Sequence, residues 1–403
     1  MVSIYYELSI APRAQELVRH YIPDGELAMV VDSNTYAALG RGVQQAFGGQ
    51  TLRLIHLGDR VDATLERSQY IQQQLKHCAG AIAVGSGTIN DLTKHATFML
   101  GLPYVVFPTA PSMNGYVSPG ASLIEGRSKH SVAAQQPLAA LCDMQTLCAA
   151  PPRMLRAGLG DMLCRSTVQA DMVLSHHLLG TAYDETLFST LLPLEDEMMK
   201  HADGLVRRDP AVVKLLMQMI FASGEAMARA KSSAPASQSE HMIAHTMDLL
   251  YSAYNHDRLH GEQIAVTTVF MARSQEKLML GRPLIRPTRR SPKRFEMMFG
   301  QELGRQLHKQ YLKKAISQEM ADRLNAQLEV QWKDIQAQIQ SVMVKAHRLS
   351  IALRKGGAPT HYTELRWDEH QFENAVMNAH LTRDRFTFLD IAAMDQSLRM
   401  VFD

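Results

Sequence analysis

The chain is poor in cysteine. Its four, Cys78, Cys142, Cys148 and Cys164, form no Cys-x-x-Cys pair, which excludes a disulfide framework and makes a reducing cytoplasm the expected compartment. Long apolar runs are missing too, and none approaches the ~18 residues that a membrane span needs. The opening, MVSIYYELSIAPRAQ, lacks the basic stretch and apolar core of a secretory signal. Nor does either sign of charge prevail. Lys and Arg number 42 against 40 Asp and Glu, a net of +2, so no global field draws the protein to nucleic acid or to an anionic membrane. Internal repeats and low-complexity segments are absent. What remains is an ordinary globular composition of 403 residues, 46% hydrophobic and 20% charged, enough for two or three domains.

Two grammars divide the chain. Over the first ~110 residues, short β-rich runs alternate with helical stretches. LAMVVD (27–32), TLRLIHL (51–57), AGAIAVG (79–85) and YVVFP (104–108) read as strands. A helix follows the first near Ser33 and Asn34, another spans 62–78 behind an Asp62 cap, and a third spans 88–100. Strand–helix–strand at these lengths implies parallel pairing with right-handed crossovers, hence an open α/β sheet. Pro151 and Pro152 mark a break, after which helical periodicity prevails. The expected organisation is an α/β domain over 1–152 and a helical domain over 153–403. The polar stretch 312–355 reads as an amphipathic helix pair decorating the surface, and RPLIRPTRRSPKRF (282–295) as a solvated basic connection. The 24 methionines are expected to fill gaps in helical cores.

Chemistry-bearing residues gather in a few places. GSGTIND (85–91) follows the third strand, where Gly85 and Gly87 admit close backbone approach and a helix start offers N–H groups to a pyrophosphate. PTAPSMNGYVSPG (108–120) follows the fourth strand and has the composition of a fixed, irregular loop on the same sheet edge. In the helical half, SEHMIAH puts His241 and His245 on one helix face, and NHDRLHGE adds His256 and His260. Asp161, in GLGDMLCRS, offers a carboxylate. One Asp and two His make a divalent-metal site with an open position.

These segments occur in order with others: VVDSNTY, GSGTINDLTKHATFMLGLPYVVFPTAPSMNGYVSPGASLI, AGLGDMLCRSTVQAD, APASQSEHMIAHTMD, LHGEQ, GGAPTH and RDRFTFLDI. Together they resemble the sn-glycerol-1-phosphate dehydrogenases, within the superfamily of iron-containing alcohol dehydrogenases, glycerol dehydrogenases and dehydroquinate synthases. The resemblance implies a dehydroquinate synthase-like fold, with an α/β NAD(P)-binding domain and an all-α domain. It also implies metal-dependent reduction of dihydroxyacetone phosphate to sn-glycerol 1-phosphate. Asp32 would meet the adenosine side of NAD or NADP. Gly87, Thr88, Ile89, Asn90 and Asp91 would form the pyrophosphate loop, and Thr109, Ala110, Pro111, Ser112 and Ser118 would line the nicotinamide side. Asp161, His241 and His260 match the ligands of one divalent metal, Zn, Ni or Fe, and His245 matches a substrate-contacting histidine. Asp161 and His245 would thus carry catalysis.

Two positions depart from the family pattern. Asn114 stands where the family usually has a substrate-contacting Asp, and Gln238 where it usually has Gly. Arg165 is the expected partner of the substrate phosphate, since a guanidinium fork suits phosphate oxygens. The alternatives are another polyol or sugar phosphate as substrate, a cyclase of the dehydroquinate-synthase type, and a non-catalytic binding protein. A homodimer is the expected assembly.

Overall fold

The computed structural model describes residues 2–48, 52–126, 128–255, 257–288 and 291–394. The chain forms two compact units, Met1–Met162 with Thr190–Ser233, and Leu163–Ser189 with Ala234–Asp403. The 152/153 division expected from the sequence thus falls inside the first unit. The reason is close packing. Gly158, on the helix Pro152–Met162, approaches the loop at Pro111 so tightly that a Cβ would lie 1.8 Å from the Pro111 carbonyl oxygen. Gly224, on the helix Pro210–Ala230, packs against Val117, where a Cβ would lie 2.6 Å from Val117 Cγ2.

The first unit is built on eight strands: β1 (Ser3–Glu7), β2 (Leu27–Val31), β3 (Leu52–His56), β4 (Gly80–Gly85), β5 (Tyr104–Pro108), β6 (Gly120–Glu125), β7 (Ser128–Ala133) and β8 (Ala139–Asp143). Six form one parallel sheet in the order β1-β8-β5-β4-β2-β3, while β6 and β7 pair as an antiparallel hairpin. The four strands read from the sequence are β2 to β5. The sheet is extended by β1 and β8, which that reading did not anticipate. Strands β2, β4, β5 and β8 are buried along their length, as their unbroken apolar runs require of a sheet covered on both faces. The helix Leu65–Leu75 is capped by Thr64, whose hydroxyl accepts the Arg67 N–H at 3.2 Å. The cap is therefore Thr64, not Asp62, and the helix starts later than expected. From β2 the chain steps outward to β3, then returns to β4 on the other side of β2. Such a reversal opens a crevice at the carboxyl ends of β2 and β4, the usual ligand position in open α/β sheets.

All regular structure described in the second unit is helical. The helix Gln318–Val342 does not decorate a surface. Leu324, Leu328, Trp332, Ile335 and Ile339 recur every three or four residues, and all are buried in a core with Trp367, Phe372 and Phe388. The basic connection has no helix over 281–288, and a helix begins at Pro292. Returning to the first unit, the helix Pro210–Ala230 is the one described helix long and apolar enough to cross a membrane, and 61% of its apolar window is buried, as in a core helix.

If Gln318–Val342 is core, truncating it at its centre leaves a cavity. Leu328→Ala should lower unfolding stability by about 2–5 kcal/mol, read by chemical denaturation. A loss under about 1 kcal/mol, typical of exposed helix positions, would restore the surface assignment.

Candidate active site

At the carboxyl edge of the sheet, β2, β4 and β5 are neighbours, so the segments that follow them share one rim. Asp32 follows β2 and caps the next helical turn. Its Oδ1 accepts the Thr35 N–H at 2.7 Å, while Thr35 Oγ1 accepts the Asp32 N–H at 3.0 Å. After β4 the chain turns directly into the helix Gly87–Leu100, whose N-cap Ser86 makes no side-chain cap bond. Gly85 and Gly87 permit that turn: a Cβ on the first would strike Ile89 at 2.5 Å, and one on the second would meet Met113 at 3.0 Å. Of the residues expected around a cofactor, Asp32, Gly87, Thr88 and Ser112 reach solvent. Ile89, Asn90, Asp91, Thr109, Ala110, Pro111 and Ser118 are buried.

The buried members hold the rim together. Lys94, entirely out of water, donates to the Gly115 and Gly120 carbonyls, the latter at 3.0 Å, and to Ser118 Oγ at 3.4 Å. Asp91 Oδ1 lies 3.7 Å from that ammonium, and Asp91 Oδ2 accepts the Ser122 N–H at 3.0 Å. Burial pushes the Lys94 pKa down, and the Asp91 carboxylate opposes that. Asn90 Nδ2 donates to the Tyr116 carbonyl at 3.3 Å, and the Tyr116 hydroxyl to the Ala110 carbonyl at 2.7 Å. Loop 109–119 and the start of β6 are thereby strapped to the helix whose start faces the rim. Sequence reasoning missed Lys94 because its partners are backbone carbonyls, which carry no residue signature.

Asp161 lies one residue from the end of the helix Pro152–Met162 and is fully buried. Its Oδ2 accepts the Asn114 N–H at 2.8 Å, and its Oδ1 accepts Asn114 Nδ2 at 3.4 Å.

In the second unit, the helix Ser239–Asn255 carries His241 and His245 one turn apart, and His260 opens the helix His260–Leu278. The three rings gather. Centroids of His241 and His260 are 5.1 Å apart, those of His245 and His260 5.4 Å, and those of His241 and His245 6.1 Å. Glu240, unmarked in the sequence reading, orients the first of them through a 2.8 Å bond to His241 Nδ1. The carboxylate is itself fixed by the Gln238 N–H at 2.8 Å and the Thr167 hydroxyl at 3.0 Å. Burial drives its pKa up, yet the bond and charge of His241 leave it below the ordinary carboxyl value. The Gln238 side chain, at the position where the resemblance leads one to expect glycine, donates to the Ala234 carbonyl at 3.0 Å. The helix pair is locked by Asn255, which bonds Asp248, Gln263 at 3.0 Å and Trp367 Nε1 at 2.8 Å.

An imidazole held at Nδ1 by a buried carboxylate has the donor chemistry of a metal ligand acting through Nε2. His241 meets that condition. Arg165 does not fit its expected phosphate role: it is 4% exposed and donates to Gln169 Oε1 at 2.7 Å and the Val342 carbonyl at 2.9 Å. His256 lies outside the described residues.

Residues 7–151 match the iron-containing alcohol dehydrogenase family. A Bacillus subtilis protein named glycerol-1-phosphate dehydrogenase, NAD(P)+, is 26% identical over 97% of this chain and 92% of its own length. A Thermococcus kodakarensis protein of the same name is 33% identical over 62% of this chain and 70% of its own. A probable glycerol dehydrogenase from Sinorhizobium meliloti shares the fold at a TM-score of 0.65 and 13% identity, covering 99% of this chain and 96% of that one. Glycerol dehydrogenase from Schizosaccharomyces pombe does so at 0.65 and 14%, covering 100% and 90%.

The strap around Lys94 is open to direct test. Lys94→Met removes the buried donor while leaving Asp91 and two carbonyls behind, and should cost about 3–5 kcal/mol of unfolding stability. A Met variant as stable as the parent would show that loop 109–119 and the start of β6 are held by something else.

Proposed function

This chain belongs to the glycerol-1-phosphate dehydrogenase family, and we propose that it interconverts dihydroxyacetone phosphate and sn-glycerol 1-phosphate with NAD(P)H, using one divalent metal on Asp161, His241 and His260. Beyond family membership, one observation carries the reading: three imidazoles gathered within 6.1 Å, one of them oriented by the buried carboxylate of Glu240. Two nitrogens and a carboxylate oxygen suit Zn, Ni(II) or Fe(II), and they leave an open position for substrate.

When bound, the metal supplies Lewis-acid polarisation of the ketone and the nicotinamide supplies hydride. The chain supplies orientation and the proton. Asp32 takes the adenosine ribose, and the N–H groups at the start of Gly87–Leu100 take the pyrophosphate. Thr109 to Ser112 and Ser118 hold the nicotinamide side, rigid because Lys94 straps their loop. His245, the partly exposed ring beside His260, delivers a proton to the substrate's C2 oxygen as the hydroxyl forms. Glu240 keeps His241 in one tautomer and one orientation. A cytoplasmic homodimer is the setting we infer, in keeping with four cysteines that form no Cys-x-x-Cys pair.

Oxidation of NADH and NADPH should be followed with dihydroxyacetone phosphate, glyceraldehyde phosphate and glycerol. Turnover should be confined to dihydroxyacetone phosphate, vanish on chelation and return with divalent metal, while NAD(P)H affinity persists throughout. His260→Ala should reproduce the chelated state with its fold retained. Turnover of glycerol alone would assign another polyol, and metal-independent turnover would remove the metal from the reading.

A further inference from the structure

Asn114 leaves its family's pattern, and its contacts suggest a purpose. One residue serves both oxygens of a buried carboxylate: the Asn114 N–H meets Asp161 Oδ2 at 2.8 Å, and the side-chain Nδ2 meets Oδ1 at 3.4 Å. Any residue at 114 supplies the first bond. Only a side-chain donor supplies the second. An ionised aspartate has no hydrogen to give and would set a like charge against Asp161. The amide is also placed firmly, because the next residue, Gly115, has its carbonyl bound by Lys94 and its N–H on Met113 Sδ at 2.8 Å.

The geometry points to Asn114 as a positioning residue for Asp161: we propose that its amide fixes the carboxylate's rotation so that an oxygen lone pair is presented to the metal. This rests on the reading of Asp161 as a ligand. The terminal torsion of an aspartate is broad and two-fold, so donors to both oxygens from one anchored residue define it more narrowly than the backbone donor does. A carboxylate oxygen that accepts one hydrogen bond has a second lone pair able to face a cation. Groups that hold metal ligands commonly govern affinity 10–100-fold. Since the backbone bond survives substitution and the side-chain bond is long, the share of the amide is at the lower end, about tenfold.

The test uses the full-length protein, stripped of metal and titrated with Co²⁺ without cofactor or substrate. Bound Co²⁺ absorbs visible light with a band set by its ligand geometry. Asn114→Ala should bind Co²⁺ about tenfold more weakly and with an altered band, while NAD(P)H affinity and the melting temperature of the stripped protein stay near the parent's. Unchanged affinity and band in that variant would overturn the proposal. Should the alanine variant fail to fold, Asn114→Asp, nearly the same shape without the donor, takes its place: an altered band supports the proposal, and the parent's band overturns it. If the parent protein binds no Co²⁺, or Asp161→Ala binds it as the parent does, the metal reading itself has failed, a result distinct from failure of the Asn114 proposal alone.

Discussion

The ammonium of Lys94 sits wholly out of water, shared between the carbonyls of Gly115 and Gly120, and much of the first unit's site depends on that arrangement. A lysine without water is tolerable only where its donors are met. Here they are met by the loop after β5, with Asp91 at 3.7 Å supplying countercharge. The consequence is mechanical. The helix that starts at the sheet rim grips the neighbouring loop, and that loop's next residue outward, Asn114, grips Asp161. Strand order, helix start and buried carboxylate are thus linked by one chain of polar contacts within the unit. Rigidity of this kind is what hydride transfer asks of a cofactor site, since misplacement by about 1 Å costs rate steeply.

The second unit solves a different problem, bringing imidazoles together without letting them wander. Helical spacing puts His241 and His245 on one face. His260 comes from the next helix, and the turn between the two is tied by Asn255, Gln263, Asp248 and Trp367. Glu240 then chooses the nitrogen that His241 offers. Its burial is opposed first by His241 and then by the Gln238 N–H, which together leave its pKa below the ordinary carboxyl value.

Patterns set by neighbours in the chain are legible in the sequence. The buried strands β2, β4 and β5 announced themselves as unbroken apolar runs, and the His241/His245 pair by its spacing. Patterns set by distant partners are not. Strands β1 and β8 pair only with each other and with β5, over separations that no local window spans. In Gln318–Val342 the polar residues outnumber the apolar ones, which in sequence suggests a surface helix. Its apolar stripe at 324, 328, 332, 335 and 339 was nevertheless on the page, and the structure buries all five. Arg165 reads as a phosphate ligand by residue type, yet it is buried and its Nη1 donates to Gln169 and the Val342 carbonyl. Lys94 and Glu240 escaped notice for a related reason. Each acts through other protein groups rather than through a recognisable motif of its own.

Product stereochemistry tests the central claim most directly. NADH or NADPH and dihydroxyacetone phosphate should be incubated with the metal-loaded protein, and the glycerol phosphate formed should be resolved by configuration. The account predicts sn-glycerol 1-phosphate as the sole product. Formation of sn-glycerol 3-phosphate, or no glycerol phosphate from an enzyme that turns over another ketone, would contradict it.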